Sequence, residues 1–231
     1  MGADATTVDS VDPDSRWLYR VGGISALVLG AAYIVIIPLY AHVGAPPSGG
    51  EAWLKYLEGK TTVWWAILGL SVLTDLLFVP VALSLYLALK RVHRSAMLVA
   101  TAFVGLFVVL DLSVTWSSYA ALLTLGDSYS AATNDVQRAA YLAAANYPSA
   151  VLASRLEVVY AIVILSFAIL IIGVVMLKGS FSRPTAYLGL VTGILGVASL
   201  TGVSAIIIMN ALFATVWVLF VGYRLYRLDQ Q

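Results

Sequence analysis

The chain has 231 residues, 61% of them hydrophobic and 11% charged, with a mean hydropathy of +0.93. That composition lies far from the soluble average and makes a lipid bilayer the solvent. Lys plus Arg number 13 against 12 Asp plus Glu, so the formal charge of +1 and the lack of any long basic run exclude a nucleic-acid partner. The absence of cysteine excludes disulfides, thiolate metal sites and cysteine nucleophiles.

Residues 1–15 are polar and acidic, with Asp4, Asp9, Asp12 and Asp14 before any apolar run. They lack the basic start and short apolar core of a signal peptide, and predict a disordered tail ahead of a single transmembrane domain, residues 16–228. Six spans follow, at about residues 17–41, 61–89, 96–125, 150–177, 184–203 and 205–226. Each is matched to the roughly 20 residues that cross ~30 Å of hydrocarbon. The last two are separated by length alone: Pro184 to Tyr223 carries no charge, and as one helix it would reach about 60 Å, twice the bilayer core. Thr201, Gly202 and Ser204 mark the hairpin.

The fold class expected is thus an all-α membrane protein, a bundle of six transmembrane helices. Arg16 and Arg20, then Lys90, Arg91 and Arg94, then Lys178 and Arg183, then Arg224 and Arg227 all fall on one side if the spans alternate. Basic short loops are cytoplasmic, so both termini are expected there. Two longer loops on the opposite side predict short helices. Glu51–Glu58 carries Trp53, Leu54 and Leu57 on one side, and Asn134–Asn146 opens on Thr133 or Asn134 as a cap. Small-residue stripes Gly22, Ala26, Gly30 and Gly189, Gly193 point to spans one and five as a tight pair. Trp64, Trp65, Trp116, Trp217, Tyr223 and Tyr226 are expected as interfacial anchors.

Two carboxylates fall at mid-span: Asp75, between Lys60 and Lys90, and Asp111, between Arg94 and Asp127. Intramembrane carboxylates face a bundle interior or a wet cavity, which makes them functional candidates. At helical spacing Ser71 shares a face with Asp75, and Thr115 and Ser118 share one with Asp111. If the faces meet, they line an outward-facing pocket closed below by Phe78, Phe103 and Phe107. Arg155, just before the uncharged run of span four, is the candidate to turn inward toward Asp111. Glu157, two residues on, then faces away. The bland alternative is that each Asp bonds a neighbouring helix and only orients the bundle. His42 and His93 read as loop residues, since a zinc site needs three or four such ligands, and no metal site or cofactor is expected.

The Arg-plus-Gly opening of span one, the run Ala-Leu-Ser-Leu-Tyr86-Leu-Ala-Leu-Lys90 after Asp75 and the Arg183-Pro-x-x-x-Leu-Gly189 entry to span five resemble a six-helix prokaryotic membrane family, domain of unknown function 4386. The resemblance covers residues 17–227. It implies a prokaryotic cell-membrane protein of unassigned activity, and no catalytic residue carries over. Three function classes follow: a small-ligand or cation/proton binding protein or transporter using Asp75 and Asp111; a non-catalytic membrane sensor or assembly subunit; and an intramembrane aspartyl hydrolase. The first is preferred, without enzymatic activity. Thr74-Asp75 and Leu110-Asp111 do not match the Tyr-Asp and Gly-x-Gly-Asp motifs of the hydrolases. Expected partners are the lipid bilayer, a small molecule or cation, and a second copy forming a homo-oligomer that would enlarge the volume of six short helices.

Overall fold

Apolar runs in a bilayer must satisfy every backbone N–H and C=O internally, and an uninterrupted helix does so within one segment. The computed structural model describes residues 13–179 and 181–230, without the side chains of residues 13–15 and 229. These residues are helical almost throughout, and no strand occurs among them. Five helices are long and apolar enough to cross a membrane: Arg16–Val43, Thr61–Ala131, Arg155–Met176, Arg183–Thr201 and Ser204–Leu228. The expected tail lies outside the described residues up to residue 12. Its last three residues already belong to α1 (Pro13–Val43), because Pro fits the first helical turn, where its missing N–H costs nothing.

After α2 (Gly50–Leu57), the helix α3 (Thr61–Leu110) continues through a π-helical segment, Asp111–Trp116, into α4 (Ser117–Ala131). His93, with φ −158° and ψ 87°, is the one residue of α3 that leaves helical geometry. The flanking arms fold back on each other there, since the rings of Phe78 and Phe107 meet edge to face at 5.8 Å. His93 Nδ1 accepts the Ala96 N–H at 3.2 Å and so caps the second arm, within the short basic loop that the sequence predicts. Next come α5 (Asp135–Leu152), α6 (Arg155–Val158), a second π-helical segment, Val159–Val163, and α7 (Ile164–Met176). The expected start of span four at residue 150 is corrected: α5 runs on through Pro148 to Leu152, and the break falls at Ala153 and Ser154. Ser154 Oγ accepts the Glu157 N–H at 3.3 Å and starts the next helix. The chain ends with α8 (Arg183–Ala198), a 3₁₀ turn at Ser199–Thr201 and α9 (Ser204–Asp229). Gly202 lies at φ 74°, a left-handed stop that suits glycine, so the hairpin falls where the length of the apolar run places it.

The long helices close a ring in which α1 packs on α3, α3 on α7, α7 on α8, α8 on α9, and α9 on α1. Spans one and five are therefore not the tight pair; α9 separates them. Gly22 instead admits Ser84 of α3, while Gly189 lets α8 approach Gly173 of α7 and the Trp217 indole of α9. Trp64 and Trp217 are fully buried and serve the interior, not the interface.

A second, smaller core caps one end of the ring. Trp53, Leu54 and Leu57 of α2 pack there with Trp64, Leu122, Leu123 and Ala145. The outer helices are thus packed elements with a core of their own, seated on the bundle. Asn134 caps α5 as expected, its side chain accepting the Gln137 N–H at 2.9 Å. Tyr56 Oη donates to the carbonyls of Val43 at 3.0 Å and Gly44 at 2.9 Å, and Lys60 Nζ donates to Val43 O at 3.0 Å. Burial raises the Tyr56 hydroxyl above its ordinary range, which keeps that donor protonated at high pH. Tyr56→Phe is expected to lower stability by about 1 kcal/mol and to speed amide exchange at the end of α1, measured by chemical unfolding and hydrogen exchange. By contrast the Lys55–Glu51 pair on α2, which lowers the Glu51 carboxyl and raises the Lys55 ammonium, is solvent-exposed and adds little.

Candidate functional site

Asp75 and Asp111 come together. Both are buried, at 2% and 3% exposure, and both line a cavity of about 230 Å³ inside the helix ring. Their side chains face this one space from the two arms of the folded-back helix. Ser71 and Thr115 line the same cavity, as the helical spacing predicts. The floor is apolar and includes Phe78, Phe107, Leu29 and Ile169. Phe103, expected there, packs instead against Phe167 at 6.1 Å.

The π-helical segment Asp111–Trp116 decides which residues of the second arm face inward. An α-helix would bring Ser118 under Asp111 at i+7. The wider π turn, with its i to i+5 bonding, brings Trp116 there instead. Trp116 Nε1 donates to Asp75 Oδ2 at 2.8 Å, so this indole is a site residue and not the interfacial anchor its type predicts. Ser118 is corrected accordingly: it is buried but off the cavity wall, with its hydroxyl donating to Val114 O at 2.6 Å. Ser117 Oγ likewise donates to Ser113 O.

Arg155 is also corrected. It is exposed and lies off the cavity wall, whereas Glu157 lines the cavity together with Asp111. The inward stripe of the fourth span includes Ala161, Leu165 and Ile169, and continuing it back by four residues lands on Glu157. Arg155, two residues earlier, necessarily points away.

The far wall was not legible as a site. Asn210 of α9 donates to Thr192 O of α8 at 2.8 Å, and both residues face the cavity, as does Trp217. Four polar atoms of cavity-lining residues, Asp111 Oδ1, Thr115 Oγ1, Thr192 Oγ1 and Trp217 Nε1, are fully buried without a hydrogen-bond partner in the protein. Each such atom costs about 1–3 kcal/mol until something satisfies it. Tyr33, Tyr40 and Tyr119 add rings around the carboxyls, and no Lys, Arg or His among the described residues lines the space. The site is acidic, aromatic and without an internal counter-cation.

Among the described residues no group of three or more His, Cys, Asp or Glu is placed to hold a metal ion. Comparison of the chain with protein-family models, curated proteins and solved structures returned no match.

Proposed function

We propose that this chain is a six-crossing integral protein of a prokaryotic cell membrane that binds a small cation, or a proton, in the acidic cavity around Asp75 and Asp111. The observation that carries the reading is the cavity itself: three acidic side chains and unpartnered buried polar atoms, with no basic residue among its described lining. In a low-dielectric interior such a group of acids attracts cations strongly. The fold-back at His93 supports counting the 71-residue helix as two crossings, and hence six in all. The four basic clusters then share the end that holds the His93 bend, which supports cytoplasmic termini. With that orientation Glu157 lies toward the outer end of its span, at the outward side of the cavity. The resemblance to domain of unknown function 4386 agrees with this architecture and adds no activity.

Topology is tested by single cysteines in a chain that has none of its own. Cysteine at Ser48 or Ser130 is expected to react with an impermeant maleimide on intact cells, and cysteine at Ser95 to be silent. The reverse pattern would turn the cavity toward the cytoplasm. Binding is tested on protein in lipid nanodiscs, by comparing its unfolding midpoint with that of the Asp75→Asn/Asp111→Asn double variant across sodium, potassium, magnesium and alkylammonium chlorides. A bound cation at 100 times its Kd stabilises by about 2.7 kcal/mol, or roughly 5–10 °C. At least one salt is expected to raise the parent and not the double variant. Parallel responses to every salt would refute the reading.

A further inference from the structure

We infer that the cavity is built for a small primary ammonium ion carrying a short apolar or aryl body, an inference that rests on the cation-binding reading above. The walls divide into three chemistries. Asp75 and Asp111 line the same cavity, and Asp111 Oδ1 is buried without a donor, which suits an ammonium that brings three N–H donors to one point. Around them are the rings of Tyr33, Trp116 and Tyr119, the last two 5.4 Å apart centre to centre. Ring faces attract an ammonium by cation–π interaction, and more so when it is desolvated.

The remaining wall is hydrocarbon: Phe78, Phe107, Leu29, Ile169 and Val218. A hydrated metal ion makes no use of such a surface, and Asp75, Asp111 and Glu157 do not form a three-ligand metal set. An organic cation uses both halves, its charge on the acids and its body on the Phe pair. Size sets the limit on that body. Since a cavity of about 150 Å³ accepts benzene, the 230 Å³ here accommodates about nine non-hydrogen atoms, the size of phenethylamine.

The probes are phenethylammonium chloride, its neutral isostere 2-phenylethanol, and sodium and magnesium chlorides at matched ionic strength. Each is titrated into the full-length protein in nanodiscs by calorimetry, with the Asp75→Asn/Asp111→Asn double variant as the reference that cancels partition into lipid. Phenethylammonium is expected to bind the parent at least ~100-fold more tightly than the alcohol, and the single variants Asp75→Asn and Asp111→Asn to lose about tenfold each or more. The contrast between amine and alcohol on the parent needs no variant, so poor folding of the Asn forms leaves it decisive. Equal binding of amine and alcohol would overturn the inference. Specific binding of sodium or magnesium without the amine would overturn it and leave the cation reading standing. Silence from all four probes would remove the inference, and silence across the wider salt panel would remove the cation reading itself.

Discussion

Valine in place of Gly22 is expected to destabilise the folded bundle by about 3 kcal/mol, the upper part of the range for overpacking a closed interior. A Cβ at this position would land on Ser84 Oγ and lie 3.0 Å from the Pro80 carbonyl oxygen. The hydroxyl cannot simply swing aside, since it is within 2.7 Å of both Leu18 O and Pro80 O. Backbone must therefore separate where α1 and α3 cross, and the ring of helices opens at that seam. Ser84→Gly removes the obstructing side chain at a cost of about 1 kcal/mol of helix propensity, yet it is expected to restore part of what valine loses. A double-mutant cycle by denaturant unfolding in detergent should return a coupling of at least ~1 kcal/mol. Additive effects would show that the crossing is not tight at Gly22.

Inserting one alanine after Ser118 is expected to be more damaging still. In a regular helix one added residue turns everything after it by about 100°, so Leu122 and Leu123, both fully buried, leave the second core. Each displaced leucine costs about 2–5 kcal/mol, which exceeds the stability of many domains when the two are summed, so little folded protein should be recovered. Deleting Leu112 is the opposite case, because a π turn holds one residue more than the α turn it replaces: Asp111–Trp116 relaxes to an α-helix and the helix after it keeps its phase. This variant should fold, with a thermal midpoint near that of the parent, while the residues inside the turn, Thr115 among them, are re-aimed and the specific response to cations is weakened. A normal response would mean that the π turn does not position the site.

Local and one-dimensional features were readable in the sequence. The apolar runs gave the long helices, a length too great for one crossing gave the break near Gly202, and Asn134 announced the cap it forms. Asp75 and Asp111 were conspicuous because a carboxylate amid hydrocarbon has no ordinary reason to be there. Helix phase was harder to read. A span is apolar on its lipid side and on its packed side, so no amphipathic stripe says which face of α8 or α9 turns inward, and Thr192, Asn210 and Trp217 carried no signal. Trp116 and Ser118 were misplaced because a 3.6-residue period was carried across a π turn. The choice between Arg155 and Glu157 was decidable in principle, by extending the Ala161–Leu165–Ile169 stripe backward. Glycine pairing was not decidable, since which helices meet depends on the closure of the ring.

The indole of Trp116 touches a carboxylate and also stacks toward Tyr119, which lies 5.1 Å from Trp64, which in turn lies 5.6 Å from Trp53. The molecule therefore contains an optical instrument. The emission of an indole follows the electric field along its ring, and a charge arriving beside Asp75 changes that field at Trp116 directly. Excitation passes readily between rings this close, so Trp53 and Trp64 of the second core are linked to the same chain of rings. A response to a cation that Trp116→Phe abolishes belongs to this indole and not to the other five tryptophans of the chain. Occupancy of a space inside the bundle becomes visible without attaching a dye.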